Sequence, residues 1–442
     1  MDNARKIVVE VLNDVFFNKA YSNIALNKTL KNSDLNGNDR ALATEILYGT
    51  IKYKYTIDII LKHFIKIDFK KVDRYILNVL RISVYQIKYL DKIPDFAVVN
   101  EAVELAKKYV SLKSSKFVNG VLRNYLRNKE DNFCTAKDKV LKLSFKHSFE
   151  PWMVRFFMKQ YGNEEIENIL GGLNNVPSVT VRVNSLKASY DEVWNKLEEL
   201  SYEIEEGSVC PEAIKIKRGS SIENNPLFSE GYFTVQDESA MIVAACLDIE
   251  EGMTVMDLCS APGGKATHAG ELLNNTGRVL AFDIYENKLN LIRQNAKRLG
   301  INDITCSVMD ASKYNEKYSN VADRIIVDVP CSGLGIIKKK PEIKWTKNIN
   351  DLQSLALVQQ NILKNAAKYL KKDGILLYST CTLNKEENEI IVREFVKGNP
   401  NFKVENLYFG KVDNFHYSEY GLTIFPNEHM DGFFLCKLKK QW

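Results

Sequence analysis

From about residue 3 to residue 128, apolar side chains return every three or four positions. ARKIVVEVLNDVFF, RALATEILYGTIKYK, DRYILNVLRISVYQIKYL and FAVVNEAVELAKKYV each gather them on one helical face. Asn38 and Asp39 stand where an N-cap opens the second run, and Pro94 separates the third from the fourth. SLKSSKFVNGVLRNYLR reads as a short break and a last helix, so an all-α bundle is expected over residues 1–130. A Lys-, Asp- and Asn-rich linker follows over 129–145. PWMVRFFMKQYG and EEIENILGGL then read as short helices, VTVRVN, YEIEEG and AIKIKR as strands, and SYDEVWNKLEEL as a helix. This small α+β module, 146–230, is compatible with an RNA-recognition-like sheet but carries no stacking-aromatic signature.

From 231 to 442 the period changes. TVMDLC, RVLAFD, ITCSVMD, DRIIVDVP and GILLYSTC are short apolar strands separated by helical stretches such as NKLNLIRQNAKRLG and LQSLALVQQNILKNAAKYL. Alternation at this spacing predicts a doubly wound, Rossmann-like, mostly parallel sheet with right-handed crossovers. GLTIFP and GFFLCKLKK resemble a closing antiparallel hairpin.

Composition adds three points. The 442 residues, 45% hydrophobic and 26% charged, suit a globular protein of two or three domains. No apolar run is long enough for a membrane span, and the start lacks the pattern of a signal peptide. Eight cysteines without close CxxC pairs argue against a zinc site or a disulfide framework, so a reducing cytoplasm and no metal are expected. A monomer is expected as well. Residues 1–130 hold 23 Lys+Arg against 14 Asp+Glu, or +9, which leaves −4 for the remainder of a +5 chain. A basic front predicts a polyanion partner, most simply nucleic acid, although solvated helix faces give the same count.

MDLCSAPGGKATH runs the first of the parallel strands into a helix. Ala261, Pro262, Gly263 and Gly264 form a side-chain-poor turn, and Lys265 opens a helix whose N-terminus favours an anion. Neither GxxxxGK[ST] nor GxGxxG spacing is present, which disfavours a pyrophosphate ligand. Asp283 ends the second strand, placed to accept ribose hydroxyls, and Asp310 follows the third, placed to accept an adenine amine. An anion site, a ribose acid and an adenine acid together fit S-adenosylmethionine.

Cys331 in DVPCSGLG and Cys381 in YSTCTLNKEENE end the fourth and fifth strands, which this sheet makes neighbours. Two thiols beside a methyl donor, with Asp328 next to them, match one reaction. Carbon 5 of a pyrimidine is a poor nucleophile until a thiolate adds to carbon 6 while the base edge is polarised, here by Asp328. A second group then assists release. Chemistry alone leaves the thiols interchangeable. Lys265 and Lys344 are candidate cations to favour a thiolate, by sequence position only. His268, on the helix after the turn, reads as a packing residue.

At DLCSAPGGKATH, DVPCSGLG, PEIKW and YSTCTLNKEENE the chain closely resembles the RNA 5-methylcytosine methyltransferases of the Sun/Fmu (NOL1/NOP2/Sun) family, from about 231 to the C-terminus. The resemblance implies Cys381 as nucleophile and Cys331 as the residue that frees the product. It also implies cofactor contacts from Cys259, Ser260, Ala261, Pro262, Gly263, Gly264 and Lys265, with Asp283, Asp310 and Asp328 facing cofactor or base. DNA cytosine-5 enzymes instead use the fourth-strand proline–cysteine, followed by an ENV signature absent here. GNDRALATEILYGTIKY and KFVNGVLRNYLR resemble NusB, a front domain of bacterial family members acting on small-subunit ribosomal RNA. That substrate is therefore implied, with transfer RNA as the close alternative and a non-catalytic RNA-binding, assembly or antitermination factor as others. Lys340, before PEIKW, departs from the histidine or arginine expected there.

Overall fold

The computed structural model describes residues 3–442, so the first two positions of the expected helical domain fall outside it. The chain divides into two compact units, one running through Asn174 and taking in Lys339–Lys347, the other formed by Asn175–Lys338 and Asn348–Trp442.

In the helical unit, Ala4–Asn18, Gly37–Lys52, Arg74–Tyr89, Asp95–Tyr109 and Leu112–Arg127 realise the runs with three- to four-residue spacing. Arg74–Tyr89 is the central rod, buried without interruption from Ile76 to Gln86. Its one internal cation, Arg81, is satisfied by both oxygens of Asp58 at 2.7 and 2.9 Å, and Asp58 also accepts from Lys54 at 3.0 Å. Gly49 is required where Tyr85 crosses, because a Cβ there would lie 1.9 Å from the phenol ring. Two sequence expectations change. Asn36, not Asn38 or Asp39, caps the Gly37 helix, its side chain accepting the Asp39 N–H at 3.0 Å. SNIALNKTLK forms a further helix, Ser22–Lys31, within the span expected to be helical. The expected linker contains a helix, Lys139–His147, whose Val140 and Leu143 are buried. Pro151–Gly172 is two helices joined across non-helical Gly162 (φ 81°), as the two apolar runs suggest.

In the second unit, β1 (Val179–Val183), β2 (Glu203–Glu206), β3 (Ala213–Arg218) and β4 (Phe233–Val235) form an antiparallel sheet in the order β2-β3-β1-β4. The helix Tyr190–Glu199, opened by a Ser189/Glu192 capping box, lays Val193 and Leu197 against Val181, Ile214 and Phe233. β4 lies beyond residue 230, the sequence estimate of where the module ends.

The large sheet contains β5 (Thr254–Asp257), β6 (Arg278–Asp283), β7 (Ile304–Val308), β8 (Ala322–Asp328), β9 (Leu370–Thr380), β10 (Phe402–Glu405), β11 (Phe415–Ser418), β12 (Gly421–Ile424) and β13 (Phe433–Lys440). Five strands are parallel in the order β9-β8-β5-β6-β7. β13 closes antiparallel on β9, with β12 beside it, as the tail pattern predicts. Successive strand residues serve opposite layers. Val255, Ile326 and Leu377 pack under Ala266, Ala269 and Ile292, whereas Met256, Ile325 and Leu376 pack under Leu363, Ala366 and Val392. Each such aliphatic side chain contributes roughly 1.5–3 kcal/mol of burial. From β5 the chain steps one way to β6 and β7, then returns to the other side for β8 and β9. The carboxyl ends of β5 and β8 therefore flank the switch point where open α/β sheets bind ligands.

Candidate active site

β5 ends at buried Asp257, which accepts the Cys259 N–H at 3.3 Å. The turn that follows is held to the neighbouring strand by Ser260 N–H on the Phe282 carbonyl at 2.7 Å and closes by Gly263 N–H on the Ser260 carbonyl at 2.7 Å. The Ala261–Pro262 peptide is cis, and Gly263 has φ 103°, a backbone region that side chains avoid. The helix Gly264–Leu272 starts here, so its first N–H groups face outward over the sheet edge. Asp283, at the end of β6, accepts the Tyr285 N–H at 3.0 Å and lies 3.8 Å from the Lys288 ammonium. Its remaining lone pairs are available to hydroxyl donors. Asp310 after β7 closes an Asx turn on Ser312, accepting the hydroxyl at 2.6 Å and the N–H at 3.1 Å; these bonds and Lys313 hold its carboxyl below the usual range.

Lys265 crosses from that helix to β8 and binds Asp328 Oδ2 at 2.7 Å, while the Ser379 hydroxyl of β9 donates to Asp328 Oδ1 at 2.9 Å. Burial works against the Lys265 ammonium, but Asp328, Asp257 and the Cys381 sulfur outweigh it and hold the proton on. Three and two residues beyond this register pair, Cys331 and Cys381 emerge with their sulfurs 3.2 Å apart, neither in a disulfide. The Cys331 thiol is held well above its ordinary pKa by the Cys381 sulfur, by burial, and by the Glu387 and Asp328 carboxylates. The structure thus brings together Lys265, Asp328, Cys331 and Cys381, and strings the turn, Asp283 and Asp310 along the adjoining strand ends.

Lys344 does not belong with them. Its ammonium lies inside the helical unit, donating to the Lys52 and Ser148 carbonyls at 3.1 Å and to the Asn174 amide oxygen at 2.7 Å. With Glu342 accepting from Ser22 and Trp345 donating to the Ile51 carbonyl at 2.8 Å, it anchors the PEIKW segment there. His268 is buried beside Glu212, 3.3 Å from its carboxylate. Ser379 was missed in the sequence, although its place one strand step from Thr380 and opposite Asp328 follows once the register is known. Arg182 of β1 was also missed. Fully buried, it binds both Glu271 oxygens at 2.7 and 3.0 Å and the Gly264 carbonyl at 2.9 Å, linking the small module to the first residue of the turn helix. A lone arginine in an alternating strand gives no signal of this.

Asp257 offers a pH signature. Burial, reinforced by Asp328 and opposed by Lys265, pushes its carboxyl up to about 7 from an ordinary 3.8. A raised acid favours the protonated folded state, so its stabilisation is complete below 3.8 and lost as pH rises toward 7. The ligand-free protein is expected to melt at a lower temperature at pH 8 than at pH 6 on this account. Asp257→Asn should shrink that difference in paired thermal-unfolding scans; an unchanged difference would locate the pH dependence elsewhere.

Among the described residues, no cluster of side chains with metal-ligating chemistry is found, and no helix is long and apolar enough to cross a membrane. Residues 244–439 match the family model for 16S rRNA methyltransferase RsmB/F, residues 2–127 the NusB family, and residues 149–223 the ferredoxin-like domain of RsmF/B-like methyltransferases. The chain is 38% identical over 99% of both lengths to "Probable ribosomal RNA small subunit methyltransferase B" of Bacillus subtilis. It is 32% identical to the Pasteurella multocida "Ribosomal RNA small subunit methyltransferase B", over 91% of this chain and 88% of that one. Among solved structures, PH0851 superposes with TM-score 0.83 at 28% identity, covering 100% of this chain and 99% of its own. A methyltransferase homologue from Pyrococcus horikoshii superposes with TM-score 0.60 at 25% identity, covering 69% of this chain and all of its own. A NusB-like helical unit, a ferredoxin-like module and a Rossmann-like sheet carrying paired thiols, matched over the whole length, mean that this chain belongs to the ribosomal RNA small subunit methyltransferase B family.

Proposed function

We propose that the protein methylates carbon 5 of a cytosine in small-subunit ribosomal RNA, using S-adenosylmethionine and a covalent bond between Cys381 and carbon 6 of the base. The observation that carries this reading is the thiol pair, 3.2 Å apart, beside the Lys265–Asp328 ion pair at the sheet's switch point. The turn fits the cofactor chemically: a backbone cradle shaped by Gly263, helix N–H groups for a carboxylate, and Asp283 with spare acceptor capacity for ribose hydroxyls. Cys259 to Lys265, Asp283 and Asp310 are the residues assigned to hold it. Bound there, S-adenosylmethionine supplies the methyl group from its sulfonium.

Cys381 is assigned as the nucleophile that adds to carbon 6 and Cys331 as the residue that frees the product, the roles that the family resemblance implies for these two positions. The carbon 5–carbon 6 electron pair becomes available at carbon 5 for the methyl group. Asp328, with a side chain 27% exposed and both oxygens oriented by Lys265 and Ser379, is assigned to the base edge, which has to be polarised by a proton or hydrogen bond supplied to it as the thiolate adds. Once the Cys381 sulfur is bonded to carbon, it no longer offers Cys331 a thiolate partner, which weakens the hydrogen bond that does most to hold the proton on Cys331. Cys331 then ionises more readily at the step that needs a base. Its thiolate takes the carbon 5 proton, the ring double bond re-forms, and Cys381 leaves as a thiolate.

A target cytosine must be unstacked to meet the thiol, which favours a loop. The basic helical unit supplies phosphate contacts, a salt-sensitive affinity that carries little sequence choice. The test is to incubate the protein with S-adenosylmethionine and unmodified 16S RNA, or unmodified transfer RNA, and map 5-methylcytosine by bisulfite sequencing. New sites in 16S RNA are expected. Modification of transfer RNA alone would change the substrate, and methylation of neither would leave a non-catalytic RNA-binding factor.

A further inference from the structure

Ser332 and Thr382, each the residue immediately after a site thiol, are joined to each other. The Thr382 hydroxyl donates to the Ser332 hydroxyl at 2.7 Å, and the Ser332 hydroxyl in turn donates to Glu387. Glu387 is fully buried and also accepts the Ser332 N–H at 2.9 Å, the Gln359 amide at 2.9 Å and the Asn384 amide at 2.9 Å. Gln359 reaches the Pro330 carbonyl as well, at 3.0 Å. All these donors are neutral. Burying a carboxylate among neutral donors is costly. Its bonds to Ser332 and Asn384 fall on the two turns that carry Cys331 and Cys381, and Gln359, from the helix Ile349–Tyr369, ties it to the Pro330 carbonyl just before Cys331.

We propose that Glu387 is a positioning residue for the thiol pair: by gripping Ser332, and Thr382 through it, the carboxylate holds the turns after β8 and β9 in the arrangement that keeps the two sulfurs in contact. This deepens, and rests on, the reading of the thiols as nucleophile and releasing group. Around Cys331 the titratable groups are Cys381, Glu387, Asp328 and Tyr378, so the carboxylate also adds negative charge beside the thiol meant to stay protonated.

In Glu387→Gln the side chain keeps its shape but sets an amide donor against N–H donors. Methyl transfer to unmodified 16S RNA is expected to slow by about 100-fold, the cost of misplacing reacting groups by about 1 Å. Binding of S-adenosylhomocysteine, followed by calorimetry, should change by less than about threefold, since the cofactor turn is untouched. Two thiol readouts do not depend on methyl transfer. Closure of the Cys331–Cys381 disulfide by diamide, which takes up the two electrons and two protons, should slow in the variant. Alkylation of Cys331 by iodoacetamide, measured in a Cys381→Ser background, should shift to lower pH once the carboxylate charge is removed. Thiol readouts identical to the parent protein would overturn the positioning role, whatever happens to methylation. If they shift while the parent protein makes no 5-methylcytosine, the positioning stands and the assigned reaction falls. Should Glu387→Gln not fold, Ser332→Ala, which removes the hydroxyl bonds to both Glu387 and Thr382 and leaves the Ser332 N–H on the carboxylate, decides in the same way: diamide closure at the parent rate overturns the proposal, and slower closure supports it.

Discussion

Cys331→Ala is expected to remain covalently attached to small-subunit RNA in the presence of S-adenosylmethionine, migrating as a protein–RNA adduct on a denaturing gel. Cys381→Ala is expected to form no adduct and to lose methyl transfer by about 10⁴-fold or more, the scale of removing a covalent nucleophile. The asymmetry follows from the roles proposed for the two thiols, Cys381 as nucleophile and Cys331 as the releasing group. Cys331 faces Cys381, Glu387 and Asp328, which favour a proton. With Cys331 reduced to a methyl group, addition and methylation still proceed, but nothing at that position takes the carbon 5 proton, and the thioether persists. An adduct with Cys381→Ala instead would exchange the two roles. No adduct from either would remove covalent chemistry from the site.

The second large effect is structural and begins outside the site. Arg182→Met leaves the Glu271 carboxylate buried without its cation, a change that typically costs about 3–5 kcal/mol. Thermal unfolding of the unit formed by the small module and the large sheet should move down by several degrees. The Gly264 carbonyl loses a donor at 2.9 Å, so affinity for S-adenosylhomocysteine should fall with it. The double variant Arg182→Met/Glu271→Leu separates pair from charge, because apolar residues of similar volume often replace a buried ion pair at little cost. Recovery of most of the lost stability is expected. Equal damage in single and double variants would mean that the arginine acts through its other acceptors.

The parallel strands were legible because each is a short apolar run followed by a glycine-rich turn or a helix period, a signal contained in a few residues. The turn after β5 was legible for the same reason: small residues and a glycine free to adopt positive φ, as Gly263 does, leave its backbone uncovered by side chains. Ser22–Lys31 falls in the stretch expected to be helical, but its own bounds were not legible, since only Ser22, Leu26 and Leu30 are buried, a thin stripe among lysines and asparagines. β4 was missed because three residues show no period. The site's supporting groups were beyond sequence reasoning. Ser379, Glu387 and Arg182 are ordinary polar residues until a register or a packed layer gives them a partner.

Local chemistry along the chain therefore settled the element types, the alternation that makes a doubly wound sheet, the side-chain-poor turn after β5 and the placement of both cysteines at strand ends. Periodicity, caps and turn geometry act over a few residues and need no partner. Tertiary structure alone decided the contacts that give those residues their work. Cys331 meets Cys381 across 50 residues, Lys265 meets Asp328 across 63, and Arg182 meets Glu271 across 89. It also decided that Lys339–Lys347, inside the catalytic stretch of sequence, belongs to the helical unit. Such pairings depend on strand order and register, where a slip of one residue turns every side chain to the opposite face, and only the packing of both layers selects among them.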